Sequence, residues 1–244
     1  MLFFFLSGCA TTFNPATGRN EFIFVNTATE VSIGKQVAQD LNQKDALSQD
    51  LDLQRRVKAI GSRIAAISDR KDLEYNFSVL KDKELNAATF PGGFIYVNKG
   101  LVEVLDDNEL AYVIAHEVGH VAARHIAKKM QANMGYQLIL NIAFAGLSNN
   151  PNVSANSQQI TGGINQVYNL VSLSYSRKDE FEADRLGVKY AYRAGFDPYA
   201  SLSALGKIKD SEGPHWKLLS FFKTHPYVDE RIKALKTFIP EAAK

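Results

Sequence analysis

The sequence has a single cysteine, Cys9, among its 244 residues, so an internal disulfide cannot form. Charge of either sign is not in excess, since 28 basic residues face 26 acidic ones, and this balance argues against a nucleic-acid partner. Long apolar runs of the roughly 18 to 20 residues needed to span a bilayer do not occur. With 45% hydrophobic residues, the chain can instead build one sizeable globular core.

Cys9 follows a short apolar segment that ends in Leu-Ser-Gly. This ending resembles that of a bacterial lipoprotein signal peptide, whose cysteine is lipidated and becomes N-terminal after cleavage. We therefore predict that residues 1–8 are a signal segment, truncated because no positive residue precedes the apolar run, and that lipidated Cys9 anchors the protein to a membrane. Because Ala10 follows rather than Asp, Gram-negative sorting predicts the periplasmic face of the outer membrane. The alternative is a buried N-terminal strand.

The most informative segment of the chain is His116-Glu117-Val118-Gly119-His120. Residues four apart on a helix are rotated by about 400°, so both imidazoles emerge on one face and can hold a single metal ion. Glu117 is offset by about 100°, which places its carboxylate beside the metal, where it can take a proton from bound water. A five-residue match also arises by chance, so the assignment needs a third ligand.

The residues around this segment predict a helix. Asp106 with Glu109 three residues later forms a capping-box pattern at its start. An apolar stripe follows, and Lys128 and Lys129 place positive charge toward its far end. On this helix His125 would lie about 180° round from the metal-binding face, and we predict an exposed or core-edge histidine.

A third ligand is predicted on another helix, which opens near Arg177. On it Glu180 and Glu182 differ by about 200° and cannot both face one metal, whereas Glu180 and Asp184 differ by about 40°. We therefore predict that Glu180 binds the metal and that Asp184 accepts a hydrogen bond from the outer N–H of a ligand histidine. Glu182 is left as a surface charge or an ion-pair partner. Small residues on the Glu180 face would allow close helix packing: Ala183, Gly187 and Ala191.

The remaining patterns predict a mostly helical α+β domain with a small antiparallel sheet. Apolar periodicity and turn residues place helices at 29–47 and 51–67 and strands at 75–80, 86–90 and 94–98. The last two strands flank the turn Pro91-Gly92-Gly93, which is typical of a hairpin. The small residues Ala87, Ala88 and Thr89 would leave an edge strand open to pairing with an extended peptide substrate. The alternative is an edge covered by a loop.

Together these segments resemble the zinc metalloendopeptidase family that contains HtpX and the CAAX prenyl proteases, and most closely its soluble periplasmic and lipoprotein members. The resemblance covers roughly residues 20–238 and is carried by His116–His120, Glu180–Asp184, Ala87–Phe94 and Gly195–Pro198. It implies a gluzincin arrangement with one zinc ion per chain on His116, His120 and Glu180. It also implies water-mediated peptide hydrolysis with Glu117 as general base. The transmembrane helices of HtpX have no counterpart in this sequence.

Thr224-His225-Pro226, with Arg231 six residues after the histidine, matches a further pattern of the family. In some soluble members the equivalent histidine reaches the zinc as a fourth ligand and shuts the site, so we predict that His225 is a switch. Arg231 is predicted to stabilise the oxyanion that forms during hydrolysis, with a structural ion pair as the alternative.

The resemblance implies an endopeptidase of the bacterial cell envelope that acts on misfolded or unassembled envelope proteins. We predict a tether at residues 9–28 and a single metalloprotease domain at residues 29–240. An alternative function is a zinc-containing envelope chaperone or binding module whose site is closed and mostly inactive. Glu117 disfavours it, because a purely structural zinc site has no use for a general base. A hydrolase for a non-peptide substrate on the same metal is a third candidate.

Overall fold

The computed structural model describes residues 11–134, 139, 157–211 and 220–242, so the predicted signal segment and Cys9 lie outside the described residues. The described chain is mostly helical with two small sheets, which confirms the predicted α+β class. In chain order its elements are β1 (Thr12–Asn14), β2 (Arg19–Glu21), α1 (Thr27–Gln43), α2 (Leu51–Ala65), β3 (Asn76–Leu80), β4 (Ala87–Phe90), β5 (Phe94–Asn98), α3 (Lys99–Val104), α4 (Asp107–Ala122), α5 (His125–Asn133), α6 (Ser157–Ser172), α7 (Arg177–Arg193), α8 (Ala200–Ser211), α9 (Ser220–Thr224) and α10 (Val228–Ala242).

The larger sheet has three strands in the order β3-β5-β4. The predicted hairpin is present: β4 and β5 are antiparallel across a turn in which Gly92 and Gly93 have φ of +77° and +83°, a region that glycine enters without strain. The prediction of an entirely antiparallel sheet is wrong, because β3 pairs with β5 in parallel. The chain leaves β3, crosses to the outer edge to form β4, and returns through the hairpin into the middle, which orients β5 along β3.

Helix α4 runs through the centre of the fold. Every residue from Glu109 to Ala122 is buried, because α2, β4 and β5 pack against one side of the helix and α7 and α8 against another. The predicted capping box is present at its start, where the Asp106 side chain accepts from the backbone N–H of Glu109 and the Glu109 side chain accepts from that of Asp106. No helix in the described part of the chain is both long and apolar enough to cross a membrane.

Helices α4 and α7 approach each other closely at two glycines. A Cβ atom on Gly187 would lie 3.0 Å from the backbone nitrogen of His116, and one on Gly119 would lie 2.9 Å from the carbonyl oxygen of Ala183. The small residues of the Glu180 face therefore permit close contact, as predicted. This contact brings Glu180 and Asp184 next to the two histidines of α4.

The chain turns sharply between α4 and α5. Arg124 has a φ of 57°, in the left-handed region that costs a residue with a Cβ roughly 1–2 kcal/mol. Its guanidinium donates to the buried carboxylate of Glu30 and to the carbonyl of Val25, and these bonds hold the turn. The prediction of one helix continuing to Lys129 is therefore wrong, and His125 begins a helix with a new direction.

Strands β1 and β2 form a small antiparallel hairpin that we call the N-terminal hairpin, residues 12–21. Glu21 accepts a hydrogen bond of 2.6 Å from Lys128 on α5, and Arg19 donates to Glu182 on α7. The hairpin lies within the stretch predicted as a tether. Its ion pairs connect the start of the described chain to the two helices that lie beside the histidine pair.

Candidate metal centre

Four side chains from three parts of the chain converge at the centre of the molecule. His116 and His120 come from α4, Glu180 from the first turn of α7, and His225 from the residue after α9. Each is at most 1% exposed, and their potential ligand atoms all lie within 4.8 Å of one another. The structure therefore brings together the three predicted ligands and the predicted switch residue.

The ring nitrogens and carboxylate oxygens of this cluster lie close enough together to surround one ion. The Nε2 atoms of His116 and His120 are 3.0 Å apart. The Nδ1 atom of His225 lies 3.3 Å from His116 Nε2 and 3.1 Å from Glu180 Oε1. The His225 ring stacks on Phe221 at 4.9 Å between centroids, which fixes its direction toward the cluster.

The donor set fits a metal ion. Three imidazole nitrogens and a carboxylate oxygen are ligands that zinc accepts in tetrahedral geometry. Glu117 Oε1 and Glu180 Oε2 are buried and take no hydrogen bond, although Arg231 Nη1 lies 2.7 Å from the latter. Buried carboxylate oxygens that accept no hydrogen bond are costly, and a cation beside them would offset this cost.

The protonation states of His120 and Glu180 also suit metal ligands, whereas the carboxylates of Glu180 and Glu117 outweigh burial and raise the pKa of His225, which must lose a proton to bind a metal. Burial holds the pKa of His120 well below its ordinary value, so the ring is neutral and has a lone pair available. Burial alone would raise the pKa of Glu180, but the charges of Arg231 and His225 outweigh it and hold this pKa well below its ordinary value. The carboxylate is therefore ionised, as a metal ligand must be.

Asp184 holds the outer side of His116. Its Oδ1 atom lies 2.9 Å from His116 Nδ1, so that Nδ1–H can donate outward while Nε2 faces the cluster. The hydroxyl of Tyr112 donates to the same oxygen at 2.7 Å, and Arg231 donates to both carboxylate oxygens at 2.7 and 2.8 Å. Burial would raise the pKa of Asp184, but the Arg231 charge and the His116 hydrogen bond lower it to about 2.

Arg231 is fully buried behind the cluster rather than beside an approaching substrate. Its Nε and Nη2 atoms donate to Asp184, and its Nη1 atom donates to the carbonyl of His225 at 3.3 Å and contacts Glu180. Each of its three nitrogens therefore already has a partner. This arrangement supports the structural ion pair that the sequence left open, and the oxyanion role stays a prediction.

Glu117 lies beside the cluster, as its offset on the helix predicts. Thr89 Oγ1 donates to Glu117 Oε2 at 2.6 Å, and the other oxygen, Oε1, lies 3.4 Å from His225 Nε2. The hydrogen bond from Thr89 was not predicted, because the sequence marked Thr89 only as part of an edge strand. It connects the sheet to α4 and leaves one carboxylate oxygen free.

His125 holds the outer side of His120, and its prediction as an exposed or core-edge histidine is wrong. It is 3% exposed, and its Nδ1 atom lies 2.8 Å from His120 Nδ1. Its Nε2 atom lies 3.2 Å from Glu182 Oε2, and Glu182 in turn accepts from Arg19 at 2.7 and 3.0 Å. Angular arithmetic failed here because the turn at Arg124 interrupts the helix on which it was based.

A cavity of about 280 Å³ opens beside β4. Ala87, Ala88 and Thr89 line one wall, and Tyr168, Tyr175 and His225 line the other. Tyr175 stacks on the ring of His120 at 3.9 Å between centroids. Within the described residues no strand pairs with the outer edge of β4, so the predicted edge strand borders a cleft that leads to the cluster.

Comparison with known proteins gives a consistent family. The profile described as Peptidase family M48 matches residues 52–239. Mitochondrial metalloendopeptidase OMA1 of Schizosaccharomyces pombe is 32% identical over 190 residues, which cover 76% of this chain and 53% of that protein. Beta-barrel assembly-enhancing protease of Yersinia pestis is 27% identical over 231 residues, 89% of this chain and 45% of that protein. Metalloprotease LoiP of Escherichia coli is 32% identical over 162 residues, 66% of this chain and 61% of that protein. The chain spans about half the length of the first of these relatives.

Proposed function

We propose that this chain, which belongs to peptidase family M48, is a metalloendopeptidase that hydrolyses peptide bonds with one zinc ion on His116, His120 and Glu180. Glu117 is proposed as the general base. The observation that carries the proposal is the buried four-residue cluster beside which Glu117 keeps one carboxylate oxygen without a hydrogen bond. Polypeptides are accordingly the substrates.

The proposed mechanism divides the work between the metal and the protein. When bound, zinc would lower the pKa of water toward about 7 and polarise the scissile carbonyl. Thr89 holds Glu117 through Oε2, so that Oε1 can accept the proton of the attacking water. Glu117 then passes this proton to the leaving nitrogen, and no covalent intermediate with the protein forms.

We propose that the substrate binds as an additional strand on β4. The outer edge of β4 has no partner strand among the described residues, and the adjoining cavity reaches His225 and the histidine pair. Backbone hydrogen bonds to an edge strand hold an extended peptide in register without requiring a particular sequence. Side chains of the cavity wall, such as Tyr168 and Val171, would then contact the substrate's side chains.

His225 is proposed as an autoinhibitory fourth ligand. Its Nδ1 atom lies 3.1 Å from Glu180 and 3.3 Å from His116, only slightly farther than the 3.0 Å between the two histidines of α4. Four protein ligands leave no open position for water, so hydrolysis would require the His225 segment to move. The buried position of the ring, stacked on Phe221, supports a closed resting site.

We further propose that the protein acts in the bacterial cell envelope. The proposed organisation is a signal segment at residues 1–8, lipidated Cys9, a tether to residue 28 and one protease domain at residues 29–240. One relative is a Beta-barrel assembly-enhancing protease, which supports misfolded or unassembled envelope proteins as substrates. A second candidate function is a chaperone or binding module with a mostly inactive site. The buried cluster that includes His225 supports it, because four protein ligands would close the metal site.

The test of the proposed function is digestion of an unfolded protein such as casein, with and without a chelator. Glu117→Gln preserves the side-chain shape but cannot accept the proton, so zinc should be retained while turnover falls by at least about 100-fold. Glu103→Gln on the surface of α3 is the matched control and should digest casein like the wild type. Retained cleavage by the Glu117 variant would refute its role as general base.

The same assay separates the switch from the closed-module alternative. His225→Ala opens the fourth position, and we expect faster digestion than by the wild type, with zinc still bound by the other three ligands. Unchanged or slower digestion would count against the switch. If neither the wild type nor the His225 variant cleaved casein, the binding-module candidate would be favoured.

A further inference from the structure

The two histidines of α4 are held from behind by chemically different partners. His116 donates to a carboxylate, Asp184, which is the usual outer partner of a metal-binding histidine. His120 instead faces the imidazole of His125, with 2.8 Å between the two Nδ1 atoms. An imidazole can accept or donate at this atom, so something else must decide which of the two rings carries the proton.

Two carboxylates face Nε2 of His125 and make that choice: Glu182 at 3.2 Å and, farther away, Asp179 at 3.5 Å. If His125 donated from Nδ1, a neutral His125 would present the lone pair of Nε2 to Glu182 Oε2 at 3.2 Å, and the two would repel. If His125 carries its proton on Nε2, it donates to Glu182 and accepts at Nδ1. His120 must then carry its own proton on Nδ1, which leaves the lone pair of Nε2 directed at the cluster.

Two features hold this arrangement in place. Arg19 of the N-terminal hairpin donates two hydrogen bonds to Glu182, at 2.7 and 3.0 Å, and so fixes the carboxylate at the end of the chain of contacts. The left-handed turn at Arg124 directs His125 back toward His120, although it costs backbone strain. Glu30 holds this strained turn through Arg124, and the turn places His125 where it can contact His120.

We propose that His125 is a positioning residue that keeps His120 in the tautomer able to bind the metal, and that Glu182 and Arg19 extend this relay to the N-terminal hairpin. The proposal rests on the metal ligands assigned above. It concerns the affinity of the site for zinc, and peptide hydrolysis is not needed to test it.

The first experiment measures the zinc dissociation constant of the full chain by competition with a chromophoric chelator. His125→Leu fills similar space but cannot accept the proton of His120, and we expect the dissociation constant to rise about 10- to 100-fold. His125→Asn offers a carbonyl oxygen near the position of Nδ1, and it should bind zinc within about threefold of the wild type. Equal affinity of the Leu variant and the wild type, or equal loss in both variants, would overturn the proposal.

A second pair of variants decides the matter even if His125→Leu does not fold. Glu182→Gln removes the nearer of the two charges that select the tautomer, while Asp179 stays 3.5 Å away, and it should weaken zinc binding several-fold. Glu21→Gln is the matched control, because Glu21 holds the same hairpin through Lys128 and touches the relay only at its exposed end, 3.6 Å from Arg19. If both variants lost affinity equally, hairpin docking rather than the relay would be responsible, and if neither lost affinity, Glu182 would not affect the metal ligand; either result would overturn the proposal.

Cobalt substitution adds a spectroscopic measurement of ligand geometry. In the visible spectrum of the cobalt form, Glu182→Gln should shift or weaken the bands, whereas Glu21→Gln should reproduce the wild type. If the wild-type protein bound no metal, both the assigned ligands and the relay would be refuted. If the wild type bound metal and the Glu182→Gln and His125→Leu variants bound it with the same affinity, only the relay would be refuted.

Discussion

His116 and His120 lie one turn apart on the same helix, yet the networks behind them differ in kind. Behind His116, the side chains of Asp184, Arg231 and Tyr112 are at most 1% exposed. Behind His120, the contacts pass through His125 and Glu182 to Arg19, whose side chain is 44% exposed. One histidine is thus held by a sealed ion-pair network and the other by a chain of contacts that reaches the surface.

The difference matters because charge is much more costly inside the protein than at its surface. Removing a charge from water costs several kcal/mol per ion, and only complete pairing offsets this cost. Asp184 and Arg231 satisfy each other with two hydrogen bonds, so the network is stable only while both are present. Arg19 can be solvated instead, so its loss should be tolerated.

The largest effect in this comparison is expected for Asp184→Asn. The substitution leaves the buried charge of Arg231 without its main partner, and we expect the free energy of unfolding to fall by about 3–5 kcal/mol. Urea denaturation of the metal-free protein measures this loss. Glu182→Gln provides the comparison from the other network and should lose less, about 1–2 kcal/mol, because its partner Arg19 can be solvated. Similar losses in the two variants would show that the networks do not differ in this way.

The sequence predicted Asp184 of the first network and missed the second network for a physical reason. Asp184 lies one helical turn after Glu180 on an uninterrupted helix, so its direction follows from spacing alone. His125 follows a left-handed residue, and Arg124 is neither the glycine nor the asparagine that usually marks such a turn. The turn is held by Glu30 and Val25, which are far away in the sequence.

The sheet was predictable to a similar extent. Alternating residues and the Pro91-Gly92-Gly93 turn are local signals, and they located the strands and the hairpin. The parallel pairing of β3 with β5 depends on which edge the chain reaches after β3, and no local pattern encodes that choice. The role of Thr89 was missed for the same reason, since its hydrogen bond to Glu117 joins two distant elements.

The next largest effect is expected for Glu182→Gln, in the way that the free energy of unfolding depends on pH below neutrality. Burial would raise the pKa of Glu182, but hydrogen bonds from His125 and Arg19 outweigh it and lower this pKa to about 2 in the folded protein. A carboxylate with a depressed folded pKa contributes stability above its unfolded pKa of about 4.3, and this contribution is lost as pH falls toward 2. The stability difference between the wild type and Glu182→Gln should therefore be constant from pH 7 to about 5 and shrink below pH 4.

Urea denaturation of both proteins across this pH range measures that difference. Asp184 also has a pKa of about 2 and is present in both proteins, so its contribution cancels in the comparison. A difference that stayed constant down to pH 3 would show that Glu182 is not stabilised by its partners in the folded state. Glu182 would then behave like an ordinary exposed carboxylate rather than like a residue held by His125 and Arg19.

The smallest effect is expected for Arg19→Gln, at the exposed end of the second network. An exposed ion pair typically contributes about 0.2–1 kcal/mol, and salt screens it because the Debye length falls from about 10 Å at 0.1 M to about 3 Å at 1 M. The loss of stability should therefore be measurable at low salt and nearly absent at 1 M, while the loss from Asp184→Asn should be the same at both. The hairpin should stay docked, because Glu21 remains paired with Lys128. A loss that salt did not reduce would mean that the relay is as sealed as the network behind His116.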